Sequence, residues 1–167
     1  MGKALISIVL GSDSDLPMIK GGLEALKSFK VDHEVRILSA HRCPDDVRKF
    51  ARGASKRGIK VIIACAGMAA HLPGVIASFT TLPVVGVPIP SKALKGVDSL
   101  ASILQMPSGI PVGTMSIGET GVKNGVIFAL QVIALNSESL RKKLLKYKEN
   151  LRKQVLAKDE KISAMFK

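Results

Sequence analysis

Leu5-Ile6-Ser7-Ile8-Val9-Leu10-Gly11-Ser12-Asp13-Ser14-Asp15 passes from an almost unbroken apolar run straight into glycine, hydroxyls and carboxylates. A strand that is apolar on successive residues is covered on both faces, the condition of a parallel sheet held between helices. Further β-rich runs fall at residues 34–38, 60–65, 83–87 and 111–115, with helix-compatible stretches between most of them. Val61-Ile62-Ile63-Ala64 and Val84-Val85-Gly86-Val87 repeat the continuous apolar character of the first. The alternation predicts an α/β fold: one domain, three αβα layers, and a doubly wound parallel sheet.

The helices are legible too. Asp13 or Asp15 is placed to cap the first, with Pro17 in its opening turn and an end near Phe29. Pro44-Asp45-Asp46 opens the second with the proline-then-acid pattern suited to a positive helix N-terminus, and Gly58 ends it. An apolar helix over 121–135 is broken at Asn136-Ser137 from a basic C-terminal helix. Leu140, Leu144, Tyr147 and Leu151 recur in that last segment at helical intervals. We divide the chain into an α/β body, 1–136, and this extension, 137–167, as part of the same domain.

With 167 residues the chain can bury a sizeable core. Mean hydropathy is +0.27, yet no run reaches the roughly 18–20 uninterrupted apolar residues of a membrane span. The N-terminal apolar run reads as a first strand and carries no cleavage pattern, so a cytoplasmic protein with no membrane partner is expected. The net charge of +12 raises nucleic acid as a partner. Residues 137–167, however, hold ten Lys and Arg against four Asp and Glu, so half of the excess sits on the amphipathic tail. With one tyrosine and no tryptophan, the chain lacks the aromatic platform on which single-stranded bases stack. No nucleic-acid partner is expected. Cys43 and Cys65 lack metal-ligand spacing and read as spectator thiols.

In an open parallel sheet, loops leaving the carboxyl ends of strands converge on one crevice. Three such segments carry chemistry here. Gly11-Ser12-Asp13-Ser14-Asp15 reads either as a phosphate-binding turn or as an ordinary Ser/Asp helix cap. In the first case at least one carboxylate must turn away from the anion. Ser39-Ala40-His41-Arg42 sets a guanidinium, whose fork matches phosphate, beside an imidazole that exchanges protons near neutrality. Ala69-Ala70-His71-Leu72-Pro73-Gly74 follows Ala66-Gly67-Met68, where small residues allow a ligand close to the backbone. His33, at a strand start, reads as a surface residue.

These three segments, with Leu82-Pro83-Val84-Val85-Gly86-Val87-Pro88, Asp98-Ser99-Leu100 and Gln105-Met106-Pro107-Ser108-Gly109-Ile110-Pro111-Val112, resemble the family of purine-biosynthetic carboxylases acting on aminoimidazole ribonucleotide. The likeness covers roughly residues 4–155 and favours the N5-carboxyaminoimidazole ribonucleotide mutase branch. It implies a flavodoxin-like strand order, a homo-octamer, and an isomerase of purine (IMP) synthesis that moves a carboxylate from N5 to C4 of one ribonucleotide. No metal or cofactor is implied. The resemblance gives proton transfer to His41. It gives substrate binding to Ser12, Ser14, Asp15, Ser39, Arg42, Gly67, Ala70, His71 and Leu72. The 105–109 stretch looks like a further pocket-edge turn with a structural or interface role. Met68 departs from the pattern, since the family commonly has a second glycine there. The competing readings are direct carboxylation by the family's other branch, which typically has lysine at the arginine position; a divergent nucleotide enzyme; and a non-catalytic nucleotide-binding module.

Overall fold

The structure, a computed structural model, describes residues 3–166. Met1, Gly2 and Lys167, at the outer ends of the body and the extension, lie outside them. Five parallel strands form one sheet: β1 (Ile6–Leu10), β2 (His33–Ile37), β3 (Val61–Gly67), β4 (Val84–Ile89) and β5 (Gly113–Thr114). Their order is β2-β1-β3-β4-β5. The chain therefore steps outward from β1 to β2, then returns across β1 to build the rest. The resulting switch point lies between β1 and β3, where the connections leave toward opposite faces and a crevice opens.

Five α-helices cover the sheet, α1 (Lys20–Phe29), α2 (Pro44–Arg57), α3 (Leu72–Ala77), α4 (Val97–Leu104) and α5 (Glu119–Ala134), and a sixth, α6 (Glu138–Met165), packs its first turns against α1 and α5. On one face Ile6, Ile8, Leu10, Ile63 and Val85 pack with Leu26 and Phe29 of α1 and Val122, Val126 and Leu130 of α5. On the other, Val9, Ile62 and Ala64 meet Val47, Phe50 and Ala54 of α2, Ile76 of α3 and Ile103 of α4. Alternate residues of β1 and β3 thus feed two separate cores, which is why both strands are apolar except at Ser7.

Some boundaries differ from the expected ones. The first helix begins as a 3-10 segment, Asp13–Ile19, with Pro17 inside it. Its cap is Ser12, whose hydroxyl accepts from the Ser14 amide at 3.3 Å; Asp13 Oδ1 accepts from the same amide at 3.0 Å. Proline lacks an N–H and local hydroxyl and carboxylate acceptors compete with the helical ladder, so the regular helix starts only at Lys20. β5 is two residues long rather than five. Pro111 cannot donate to a ladder, and only Gly113 and Thr114 pair with β4, opposite Val85 and Gly86. The second helix starts at Pro44 and ends against Gly58, at φ 102°, as the residues predict.

At the C-terminus, Ser137 caps α6 and Leu140 is buried. Tyr147 packs edge-on against Phe29, with ring centroids 5.6 Å apart, and Lys143 Nζ donates to the Phe29 carbonyl at 2.7 Å. These bonds dock the first turns of α6 on the body. From Lys148 onward every described residue is exposed. Among the described residues no helix is long and apolar enough to cross a membrane.

Candidate active site

A cleft of about 780 Å³ lies over the carboxyl ends of β1 to β4. Four connections form its walls. The turn after β1 supplies Gly11, Ser12, Ser14 and Asp15, and the loop after β2 supplies Ser39, Ala40, His41 and Arg42. Ala66 to Ala69 and Leu72 come from the end of β3 and the start of α3, while Ile89 to Ala93 and Asp98 follow β4. Of the residues singled out in the sequence, Ser12, Ser14, Asp15, Ser39, His41, Arg42, Gly67 and Leu72 line this one space. Ala70 and His71 do not line it. Ala70 is buried behind the wall, and His71 is joined to the cleft through His41.

That junction is the sharpest feature of the site. His41 Nε2 and His71 Nδ1 are 2.8 Å apart, with the rings crossing edge-on at 89°. A single proton occupies such a contact, one nitrogen donating and the other accepting. The two rings therefore share a proton across loops that are 30 residues apart in sequence.

Arg42 is held by its backbone, whose amide donates to Ser39 Oγ at 3.2 Å. Among the described residues its guanidinium makes no ion pair and is free to meet an anion. In the β1 turn, Ser14 Oγ lies 2.9 Å from Ser12 Oγ and 3.2 Å from Asp15 Oδ1, and Ser12 Oγ lies 3.1 Å from Asp13 Oδ1. Asp13 is exposed outside the cleft whereas Asp15 faces in. One carboxylate has thus turned away, the condition an anion-binding turn requires.

Asp15 is half-buried, and its carboxyl is raised above the ordinary value. Desolvation is the main cause and the Asp13 charge adds to it; hydrogen bonds from the Ser14 hydroxyl and at the Ser12 backbone pull the other way. At neutral pH the ionised group opposes folding. As pH falls through the raised value the native state takes up a proton before the unfolded chain does, so this penalty fades toward the ordinary carboxylate range. Asp15→Asn is expected to raise the urea midpoint at pH 7 and to lose that advantage near pH 4. A lower midpoint at pH 7 would contradict this account.

Met68 lines the cleft and is 67% exposed. Its φ is 54°, the left-handed region that suits glycine. The position where the resemblance breaks is therefore one where any side chain carries strain and where this one stands over the opening. Met68→Val should cost about 1–2 kcal/mol in urea unfolding, because a β-branched residue tolerates this backbone least, and Met68→Gly should be close to neutral. Equal stabilities for the two variants would contradict the strain.

Cys43 Sγ accepts from the Ser39 amide at 3.2 Å and lies 3.3 Å from the Ser39 carbonyl, so it braces the loop. Cys65 is fully buried, and burial pushes its thiol far up, leaving it inert. Gln105 to Gly109 do not line the cleft, so the expected pocket-edge turn is not there. Met106 lies instead beside Gly74 of α3. Lys92 and Asp98 do line the cleft, and sequence reasoning missed both. Asp98 was visible only as part of a matched stretch, and Lys92 gave no signal. Among the described residues no group of three or more His, Cys, Asp or Glu is placed to hold a metal ion.

Comparison with known proteins agrees with this arrangement. An N5-carboxyaminoimidazole ribonucleotide mutase of Pyrococcus abyssi (strain GE5 / Orsay) is 50% identical over 153 residues, covering 92% of this chain and 87% of that protein. The Bacillus subtilis (strain 168) protein of the same name is 48% identical over 158 residues, covering 95% and 98%. A crystal structure of Treponema denticola PurE superposes with a TM-score of 0.84 at 27% identity, covering 95% of this chain and 98% of that one. The AIR carboxylase family model matches residues 5–154, a span that takes in every loop of the cleft. With the sheet, the cleft and the sequence in agreement, the chain belongs to the AIR carboxylase family.

Proposed function

We propose that the protein is a mutase that interconverts N5-carboxyaminoimidazole ribonucleotide and 4-carboxy-5-aminoimidazole ribonucleotide in purine synthesis. The observation that carries this reading is the His41–His71 proton-sharing pair, 2.8 Å apart, at the wall of a cleft that also holds an unpaired Arg42. The names of the relatives point the same way.

The chemistry asks for two proton movements and no redox step. The N5–carboxylate bond breaks to release carbon dioxide as N5 gains a proton. The electron-rich C4 then attacks the carbon dioxide, and the adduct loses its C4 proton to restore aromaticity. One proton given and one taken leave the enzyme unchanged, so a single imidazole can serve both steps. We assign this role to His41, with His71 orienting its ring and sharing the proton. Arg42 and Ser12 anchor the phosphate, supported by Ser14 and Ser39, and Asp15 accepts from ribose hydroxyls. Gly67 and Leu72 shape the wall nearest the base, and Ala70 backs it from behind. Holding the carbon dioxide and the ribonucleotide in one cleft replaces a bimolecular encounter with an oriented one.

We further propose a cytoplasmic homo-octamer, in line with soluble ribonucleotide substrates and with exposed apolar residues such as Ile37, Phe128 and Leu135 on the outside of the subunit. The basic extension is assigned to the same domain as the body, supported by the docking of Leu140 and Tyr147.

The test is turnover of N5-carboxyaminoimidazole ribonucleotide beside aminoimidazole ribonucleotide plus bicarbonate, followed by product absorbance. Rapid conversion of the carbamate with slow bicarbonate-dependent carboxylation is expected. Efficient carboxylation of the unmodified ribonucleotide alone would assign the carboxylase reaction instead, and inertness to both would end the enzymatic reading.

A further inference from the structure

Three buried polar side-chain atoms lack a hydrogen-bond partner among the described residues: Ser7 Oγ, Arg57 Nε and Asp98 Oδ1. Asp98 alone of the three residues lines the cleft. A buried acceptor without a donor costs roughly 1–3 kcal/mol, so an orphaned carboxylate oxygen in the wall of a binding site calls for a ligand donor.

Asp98 stands in the first turn of α4, where a carboxylate would ordinarily serve as a cap. That role is unfilled, since α4 is capped by Gly96 with no side-chain bond. The turn is nonetheless fixed. Ser99 Oγ, fully buried, donates to the Ile89 carbonyl at 2.9 Å and lies 3.0 Å from the Gly96 carbonyl, tying α4 to the end of β4. Asp98 is therefore held in place without its own side chain being used.

The strand order says which part of a ribonucleotide would reach it. Arg42 and Ser12 belong to the β2 and β1 ends of the cleft, and Asp98 follows β4. Strands lie roughly 4.8 Å apart, so β2 and β4 are separated by three such intervals. A ribonucleotide with its phosphate on Arg42 and its ribose by Asp15 lays its base toward β3 and β4. His41 leans the same way, to meet His71 after β3. On an aminoimidazole the exocyclic 5-amino group is the N–H donor that a carboxylate can take.

We infer that Asp98 is a substrate-positioning residue whose carboxylate accepts a hydrogen bond from the 5-amino group of the aminoimidazole. The inference rests on the ribonucleotide reading proposed above. It gives the site a means of recognising the amine from which the carboxylate departs, and of holding N5 and C4 in a constant orientation through the reaction.

The experiment is calorimetric binding of aminoimidazole ribonucleotide and of imidazole ribonucleotide, which lacks the amine, to the full-length protein and to Asp98→Ala and Asp98→Asn. The unsubstituted protein should prefer the amino compound about 10- to 150-fold, the value of a hydrogen bond to a charged group. Asp98→Ala should reduce the preference to about 3-fold or less by weakening the amino compound alone, and Asp98→Asn, a neutral acceptor of the same shape, should fall between. If Asp98→Ala does not fold, the Asn variant carries the same reading. A retained preference, or equal weakening of both nucleotides as a structural defect would give, overturns the assignment. So does equal binding of the two by the unsubstituted protein. Failure of that protein to bind either nucleotide overturns instead the function on which the assignment rests.

Discussion

His41→Asn should lower turnover of the carbamate by roughly 10²–10⁴, the range that a positioned acid–base group supplies, and leave the dissociation constant of the ribonucleotide within a few-fold. Asparagine keeps the polarity and approximate reach of the ring but neither gives nor takes a proton near neutrality. The parts proposed to hold the phosphate stay in place, because Arg42 is held through Ser39 and the β1 turn through its own hydroxyls. His71→Asn should lower turnover less, since it removes the partner of the shared proton and not the group facing the cleft. Single-turnover kinetics with equilibrium binding separates the two effects. Retained turnover in His41→Asn would take the residue out of proton transfer, and lost binding would make its role one of anchoring.

The parts of this site that were legible in the sequence are those whose chemistry is written in adjacent residues. Ser12 and Asp15, or His41 and Arg42, declare themselves because a strand end, a turn and the functional groups fall within a few positions. The His41–His71 bond was not legible. It depends on β1 pairing with both β2 and β3, with Leu10 opposite Ile37 on one side and Cys65 on the other, so that the loops leaving β2 and β3 meet over the end of β1. Lys92 and Asp98 were missed for the same reason: the β4 connection reaches the cleft only because β4 pairs with β3 in register up to Gly67 and Ile89. Met68 was visible as a departure, but its positive φ was not, because backbone angle follows from the bend at the end of β3 and not from the side chain.

For the fold, apolar runs located the strands, since burial on both faces leaves a mark on nearly every residue of β1, β3 and β4. The edge strands gave weaker signals. β2 is half-exposed along its length, with Val35 and Ile37 in the open, and β5 was overestimated because its flanking residues are apolar without being paired. Local competition was harder still to read. Whether Ser12, Asp13 or Asp15 caps the first helix turns on fractions of a kcal/mol among three good acceptors, and the 3-10 start is the outcome of that contest with Pro17.

Gly121→Ala should be among the most destabilising single substitutions in the chain, although helix propensity alone predicts the opposite. In a helix interior alanine is favoured over glycine by about 1 kcal/mol. Gly121, however, sits in the first turn of α5, and a Cβ there would overlap the Ser116 carbonyl and approach Val87 Cγ1 at 3.1 Å. The Ser116 backbone cannot swing aside as a side chain would. It lies between two bonds to β4, Met115 N to the Gly86 carbonyl at 2.9 Å and Gly118 N to the Pro88 carbonyl at 2.8 Å. Relief requires α5 to lift, which draws the fully buried Val122 and Val126 away from the sheet, or β4 to lose its edge. Overpacking of this kind costs about 3 kcal/mol or more, and at this chain length that lowers the melting temperature by roughly 6–12 °C. Gly53→Ala is the control. In α2 the nearest atom to an added Cβ is Arg57 Nη1 at 3.0 Å, the end of a side chain that donates to the Phe50 carbonyl and pairs with Glu34 but has to give by only a few tenths of an ångström. That variant should be neutral or more stable by up to about 1 kcal/mol. Urea unfolding of the pair separates the two contributions: if Gly121→Ala is as stable as Gly53→Ala, the segment between β5 and α5 yields easily, and the close approach of α5 to the sheet is not the constraint that holds this edge of the cleft.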